Sequence, residues 1–132
     1  MSAEGSAYLD SSAIVKLVLS EAESGALLAH LKRWPTRSSC ALALVEVIRA
    51  VRPEGAHVVE RAQRLLETLQ LVAVDDHLLR AAARLDPPLR SLDAIHVAAA
   101  QSLEHELEEL ITYDLRMTDA ANALGMPVAA PT

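Results

Sequence analysis

The sequence predicts an α/β protein in which a short, mostly parallel central sheet of about five strands is flanked by helices on both faces. Three observations carry that expectation. Short apolar runs, such as Ala7-Tyr8-Leu9 and Leu71-Val72-Ala73-Val74, alternate with longer segments of helical period, and continuous apolar runs are how buried parallel strands read. Hydrophobic residues make up 52% of the 132, while glycine (4) and proline (6) are few, which excludes a disordered or collagen-like chain. The length suits one domain, and no linker, repeat or low-complexity stretch divides it. Residues 1–132 are therefore expected to form a single domain with its core at about 6–131.

The elements follow in order. Ala7–Leu9 reads as a strand ending at Asp10, and Ser11 and Ser12 open an apolar helix through Leu19, since serine at the head of an apolar run is a helix N-cap signal. Glu21 to Trp34 is a second helix, stopped by Pro35 because proline disfavours helical geometry in the residue before it. Thr36–Cys40 fits a short strand. Ala41–Val51 is apolar nearly all round, which predicts a buried helix. Ala56–Leu69 is clearly amphipathic, with Val58, Val59, Ala62, Leu65, Leu66 and Leu69 in one stripe and Glu60, Arg61, Arg64 and Glu67 opposite. Leu71–Val74 is a strand closed by Asp75, and residues 76–85 are another helix. Pro87-Pro88 breaks the chain, and Ser91 opens an alanine-rich helix from Leu92 to Leu103. Leu110–Tyr113 reads as a strand ending at Asp114. A helix carrying Ala120, Ala121 and Leu124 closes at Gly125, and Val128-Ala129 is a last strand.

Composition narrows the function. No stretch approaches the ~18 uncharged apolar residues of a membrane span. The start, Met1 to Gly5, shows no basic segment followed by an apolar run, so a secretory signal is not expected. Cys40 is the single cysteine; it reads as a buried thiol of a cytoplasmic protein. The net charge of −6 opposes binding to a polyanion unless the cations cluster. Only Lys16 and Lys32 are lysines, so ten of the twelve basic residues are arginine, the side chain best matched to phosphate and carboxylate.

Ligands of open parallel sheets bind outside the carboxyl ends of the strands. Asp10 and Asp114 each close a strand and open a helix, which places both on that edge. Asp93 lies in the first turn of its helix. Taken singly, each of these also reads as a helix cap or a complement to the helix dipole. Glu46 differs. It stands among Leu44, Val45, Val47 and Ile48, and a carboxylate on an apolar helix is costly unless paired or metal-bound. An ion pair with Arg49, three residues on, or a solvent-exposed stripe through both are the other readings. Four acids on one edge repel one another, and a hard divalent cation such as Mg²⁺ relieves that repulsion and suits phosphate chemistry.

Three blocks of the chain resemble those of PIN domains: Tyr8-Leu-Asp-Ser-Ser-Ala-Ile-Val-Lys-Leu17, Ser91-Leu-Asp-Ala-Ile-His-Val-Ala-Ala-Ala100 and Ile111-Thr-Tyr-Asp-Leu-Arg116. They are most similar to the VapC-type toxins of prokaryotic toxin–antitoxin pairs. The close, Ala120-Ala-Asn-Ala-Leu-Gly-Met-Pro-Val128, is similar as well, and the likeness runs from Tyr8 to Pro131. The resemblance implies a Mg²⁺-dependent endoribonuclease, with Mn²⁺ able to substitute. Carried over by position, it implies a catalytic quartet of Asp10, Glu46, Asp93 and Asp114. Asp10 and Asp93 would be the principal metal ligands, and water activated at the ion would displace the 3′ oxygen of a phosphodiester. It further implies structured RNA such as tRNA or rRNA as substrate, and a VapB-like antitoxin as inhibitor. A homodimer, forming a heterotetramer or larger with the antitoxin, is expected on the same grounds.

Accessory roles are expected less directly. Ser11 reads first as an ordinary N-cap, and otherwise as a hydrogen-bond partner of a metal-bound water. Thr112 is either a site hydroxyl or a β-branched strand residue, and Asp119 either a further acid or a solvated helix residue. His96, one turn after Asp93, reads first as a hydrogen-bonded core histidine. Arg49, Arg52 and Arg116 lie near the acids in sequence, as solvated arginines or as partners for phosphate. Two alternatives remain: a Mg²⁺ phosphohydrolase or phosphoacceptor on a similar sheet, and an inactive PIN-like interaction module. The first is weakened because Ser11 and Ser12 follow Asp10 where haloacid-dehalogenase-like enzymes place a second aspartate. Receiver domains want an acidic pair near that strand, which is also missing.

Overall fold

A computed structural model describes residues 5–86 and 88–132; the reading at Met1–Glu4 and the Pro87 half of the diproline break lie outside them. The strands β1 (Ser6–Leu9), β2 (Thr36–Cys40), β3 (Gln70–Val72), β4 (Leu107–Ile111) and β5 (Val128–Ala129) form one sheet in the order β3-β2-β1-β4-β5. Every pairing is parallel, so the sheet is more uniform than the mostly parallel one expected. Parallel strands require crossovers, and these are supplied by α1 (Ser11–Val18), α2 (Ser24–Leu31), α3 (Ala43–Val51), α4 (Ala56–Glu67), α5 (Asp76–Ala83), α6 (Ser91–Gln101) and α7 (Leu115–Ala123).

The helices cover both faces. Ala7 and Leu9 of β1 point to a core shared with Ile14, Leu27, Leu31, Val47, Val51 and Leu66, that is, with α1 to α4. Tyr8, between them, points the other way, to Leu78, Val97, Ala99, Met117 and Ala121 of α5 to α7. This period-two alternation on a strand wholly buried on both sides is why β1 reads as a continuous apolar run. The strand order reverses beside β1: the chain travels to β2 and β3 on one side, then returns to β4 and β5 on the other. Connections leaving β1 and β4 thus diverge to opposite faces, with α1 on one core and α7 on the other. In open parallel sheets, ligands bind at such a switch point, at the carboxyl ends of the two strands.

Several boundaries and one face depart from the sequence reading. β3 spans Gln70–Val72 rather than Leu71–Val74, and Asp75 caps α5 instead of closing the strand. β4 begins at Leu107 rather than Leu110, because its acids are accommodated: Glu109 takes a 2.6 Å hydrogen bond from His30 of α2, while Glu108 is exposed. Thr112 and Tyr113 fall outside that strand, although the Thr112 amide still donates to Ala129 O at 3.1 Å. The helix expected from Glu21 to Trp34 is confined to Ser24–Leu31. Nor is α3 buried all round: Leu44 and Val45 are half exposed, at 50% and 58%. Leu44 lines a groove with Ile48, Leu66, Leu69 and Leu71, edged by Gln63 and Glu67, between α3, α4 and β3.

Gly125 ends α7 with φ +72°, a left-handed conformation that costs an L-residue about 1 kcal/mol. A Cβ there meets no atom within 4 Å, so the cost is conformational alone. Gly125→Ala is expected to lower stability by about 1 kcal/mol in chemical denaturation without changing the m-value.

Candidate active site

Asp10 follows β1 and caps α1. Its backbone is extended, and its Oδ1 accepts the Ala13 amide at 3.0 Å and the Ser12 hydroxyl at 2.7 Å. Its Oδ2 accepts the Thr112 hydroxyl at 2.5 Å. That bond joins the ends of β1 and β4, and Thr112 Oγ1 in turn accepts the Asp114 backbone amide at 3.0 Å. Thr112 thus contributes its hydroxyl to the Asp10 carboxylate as well as a β-branched side chain beyond the strand. Asp10 is only 3% exposed. Burial raises its pKa, against the lowering effect of the hydrogen bonds from Thr112, Ser12 and Ala13.

Asp114 caps α7, its Oδ1 accepting the amides of Arg116 (2.8 Å) and Met117 (3.2 Å). Asp93 stands in the first turn of α6. Arg90, the residue preceding α6, bridges the two acids: its Nε lies 3.4 Å from Asp93 Oδ2 and its Nη2 lies 3.6 Å from Asp114 Oδ2. Sequence reasoning passed over Arg90, though its i,i+3 relation to Asp93 was a signal within reach.

Glu46 occupies the first turn of α3 and does not pair with Arg49, which is exposed. The Ser11 hydroxyl donates to Glu46 Oε1 at 2.6 Å, and His96 Nε2 lies 2.7 Å from the same oxygen. Ser11 is thus bound to Glu46, and the cap of α1 is its neighbour Asp10. Glu46 is thus tied to the residue that follows Asp10. His96, on α6 and 2% exposed, has its Nδ1 2.8 Å from the Tyr8 hydroxyl of β1 and 3.7 Å from Cys40 Sγ of β2. It is the hydrogen-bonded core histidine that was expected, and it also orients an acid. Burial works against the imidazolium, but its bonds to Cys40 and Glu46 outweigh this and lift the pKa to about 10. With both nitrogens protonated, His96 donates from Nε2 to Glu46 and from Nδ1 to the Tyr8 oxygen. Burial alone raises the Glu46 carboxyl, yet His96 and Ser11 hold it below its ordinary value.

All four predicted acids thus lie on the carboxyl edge of the sheet. Thr112 bonds the Asp10 carboxylate and the Asp114 backbone amide, Arg90 spans Asp114 and Asp93, and Ser11, next to Asp10 in the chain, bonds Glu46. Asp119 makes none of these contacts; it is exposed on α7, in a hollow shared with Arg116 and Pro88. The Arg116 side chain is exposed beside Arg90 in a second shallow hollow with Pro88 and Leu89. Arg52 is exposed as well.

In kind, these donors suit a hard divalent ion: carboxylates and hydroxyls, one pair already separated by a cation, the Arg90 guanidinium. Among the described residues, no three His, Cys, Asp or Glu side chains are gathered closely enough to hold one as they stand. The reason is local. Each acid has its own partner: hydroxyls and an amide for Asp10, an imidazolium for Glu46, and a shared guanidinium for Asp93 and Asp114.

A parallel sheet whose order reverses beside β1, with Asp10 and Asp114 where β1 and β4 end, defines a class of α/β proteins whose ligands bind at the carboxyl ends of the strands beside that switch point. Residues 7–123 match the PIN domain family model, and the chain belongs to that family, among its VapC-type members. It is 50% identical over 126 residues to ribonuclease VapC46 of Mycobacterium tuberculosis, covering 95% of this chain and 97% of that protein. Among solved structures, it superposes with a TM-score of 0.74 on a chain of a toxin–antitoxin complex from Klebsiella pneumoniae, at 25% identity, with 96% and 98% of the two chains covered. Mycobacterium tuberculosis VapC20, a sarcin–ricin loop cleaving toxin, shares the fold with a TM-score of 0.72 at 19% identity, covering 95% of this chain and 99% of that one.

Proposed function

We propose that this VapC-type endoribonuclease cleaves structured RNA such as tRNA or rRNA with the help of Mg²⁺, for which Mn²⁺ substitutes, and is neutralised by a VapB-like antitoxin. The observation that carries the reading is the linked set of carboxylates on the carboxyl edge, two of which already share a cation. Asp10 and Asp93 are the principal ligands in this reading, with Glu46 and Asp114 completing the site directly or through water. When bound, a divalent ion there supplies Lewis-acid assistance to phosphodiester hydrolysis.

The chain's own residues do the positioning. Thr112 fixes the Asp10 carboxylate against β4, and His96 with Ser11 fixes Glu46 and keeps it ionised. Arg116, exposed at the edge, offers positive charge to a phosphate of the strand, which a protein of net charge −6 needs close to its acids.

The partner reading is supported by the exposed Leu44 and Val45 of α3 and by the largely apolar groove that Leu44 lines, since exposed apolar surface of this kind marks protein interfaces. The active assembly is read as a homodimer, joined by antitoxin into a heterotetramer or larger complex in the cytoplasm. No helix among the described residues is long and apolar enough to cross a membrane.

Purified protein incubated with tRNA and rRNA should cut them in Mg²⁺ and not in EDTA. Asp93→Asn should reduce the rate at least about a hundredfold, by analogy with loss of other groups that stabilise transition-state charge. Cleavage that survives EDTA, or that persists in Asp93→Asn, would sink the assignment. Hydrolysis of p-nitrophenyl phosphate without RNA cleavage would favour the phosphohydrolase instead.

A further inference from the structure

The contact between Arg90 and the acids has a direction. Among the described residues, Arg90 is the basic side chain that reaches two of the four acids at once. Its contacts are long, at 3.4 and 3.6 Å, and the side chain is 67% exposed. It is thus a cation held loosely, at the surface, between two groups that need a positive charge. Exposed pairs of this kind are weak and exchange readily. A place to go is adjacent, because Arg90 also lines the shallow hollow with Pro88, Leu89 and Arg116.

We propose that Arg90 is a tethered counter-cation that a divalent ion must displace from Asp93 and Asp114, and that it therefore sets the metal affinity of the site. In the metal-free protein the guanidinium keeps the two carboxylates facing one another by neutralising their repulsion. On displacement it swings beside Arg116, where the pair of guanidinium groups faces the strand's phosphates. Arg90 is a positioning residue in this account. The inference rests on the divalent-ion reading of Asp93 and Asp114 given above.

Calorimetric titration of the full-length protein with Mn²⁺ tests it without recourse to activity. Arg90→Ala should bind Mn²⁺ about three- to tenfold more tightly than the wild type, the range expected when weak exposed ion pairs are no longer in competition. Arg90→Lys, which keeps the charge but not the fork, should fall between the two. A purely structural role for Arg90 at the start of α6 cannot produce tighter binding. If Arg90→Ala folds poorly, Arg90→Gln carries the same expectation, checked by the extra thermal stabilisation that Mn²⁺ confers. Equal or weaker binding in the variants, with a wild-type site that Asp93→Asn abolishes, overturns the inference and leaves the metal reading standing. No Mn²⁺ site in the wild type or in any Arg90 variant overturns both.

Discussion

Asp10→Asn is expected to abolish RNA cleavage while raising the melting temperature. Both effects come from the same burial. Asp10 is 3% exposed and its pKa is raised, chiefly by desolvation, so its ionised form carries a free-energy cost in the fold. The sign follows from proton linkage. Because the folded carboxyl holds its proton to higher pH than the unfolded one, stability falls as pH rises from the unfolded value of 3.8 through the folded pKa. Asparagine keeps an oxygen for the Ala13 amide and removes the charge. A gain of about 1 kcal/mol, or roughly 3–5 °C for a chain of this size, is expected at neutral pH and should vanish below about pH 4. Cleavage should fall at least about a hundredfold. Thermal melts of the two proteins from pH 3 to pH 8, beside an RNA cleavage assay, decide the matter. A variant that is both inactive and less stable would show that Asp10 serves mainly as the cap of α1.

The second large effect concerns His96. Truncation to alanine leaves the Tyr8 hydroxyl and the Glu46 carboxylate without their partner and opens a cavity between Tyr8, Cys40 and Glu46. Losing one member of a buried pair together with core volume typically costs about 3–5 kcal/mol, so His96→Ala is expected to melt at least about 10 °C lower. The pH dependence identifies the cause. The folded pKa of about 10 lies above the ordinary histidine value of 6.5. The stabilisation is then complete below about pH 6.5 and lost as pH rises through about 10. Wild-type stability should decline across that window, and His96→Gln should flatten the decline. An unchanged slope in His96→Gln would mean that the imidazolium is not what holds Glu46.

Much of the fold was legible because its signals are local. β2 and β5 were read at their true bounds, and β1 to within one residue, since each is a short run closed by an acid, a turn or a helix start. Asp10 and Asp114 were legible for the same reason: a polar residue between strand and helix must cap the helix, and in a parallel sheet every such cap lies on one edge. Glu46 stood out as an acid among aliphatics. Its partner did not, because His96 lies 50 residues away and comes near only through the packing of α6 on β1 and β2. Along one helix the available partner was Arg49, and that reading was wrong. The start of β4 was hidden by Glu108 and Glu109, which look like surface until α2 supplies His30. Apolar Leu44 and Val45 suggested burial, and no periodicity within a single chain tells a core face from an unpartnered one.

The central claim is that four acids, held in the protein by hydrogen bonds, the His96 imidazole and the shared Arg90 guanidinium, come together around a divalent ion. Crystals of the protein soaked in Mn²⁺ and measured at the manganese absorption edge test it most directly. The account predicts one anomalous peak on the carboxyl edge of the sheet, with Asp10 and Asp93 oxygens about 2.0–2.3 Å away and Arg90 withdrawn from Asp93 and Asp114. Arg90 still bridging those carboxylates, with no peak between Asp10 and Asp93, would contradict it.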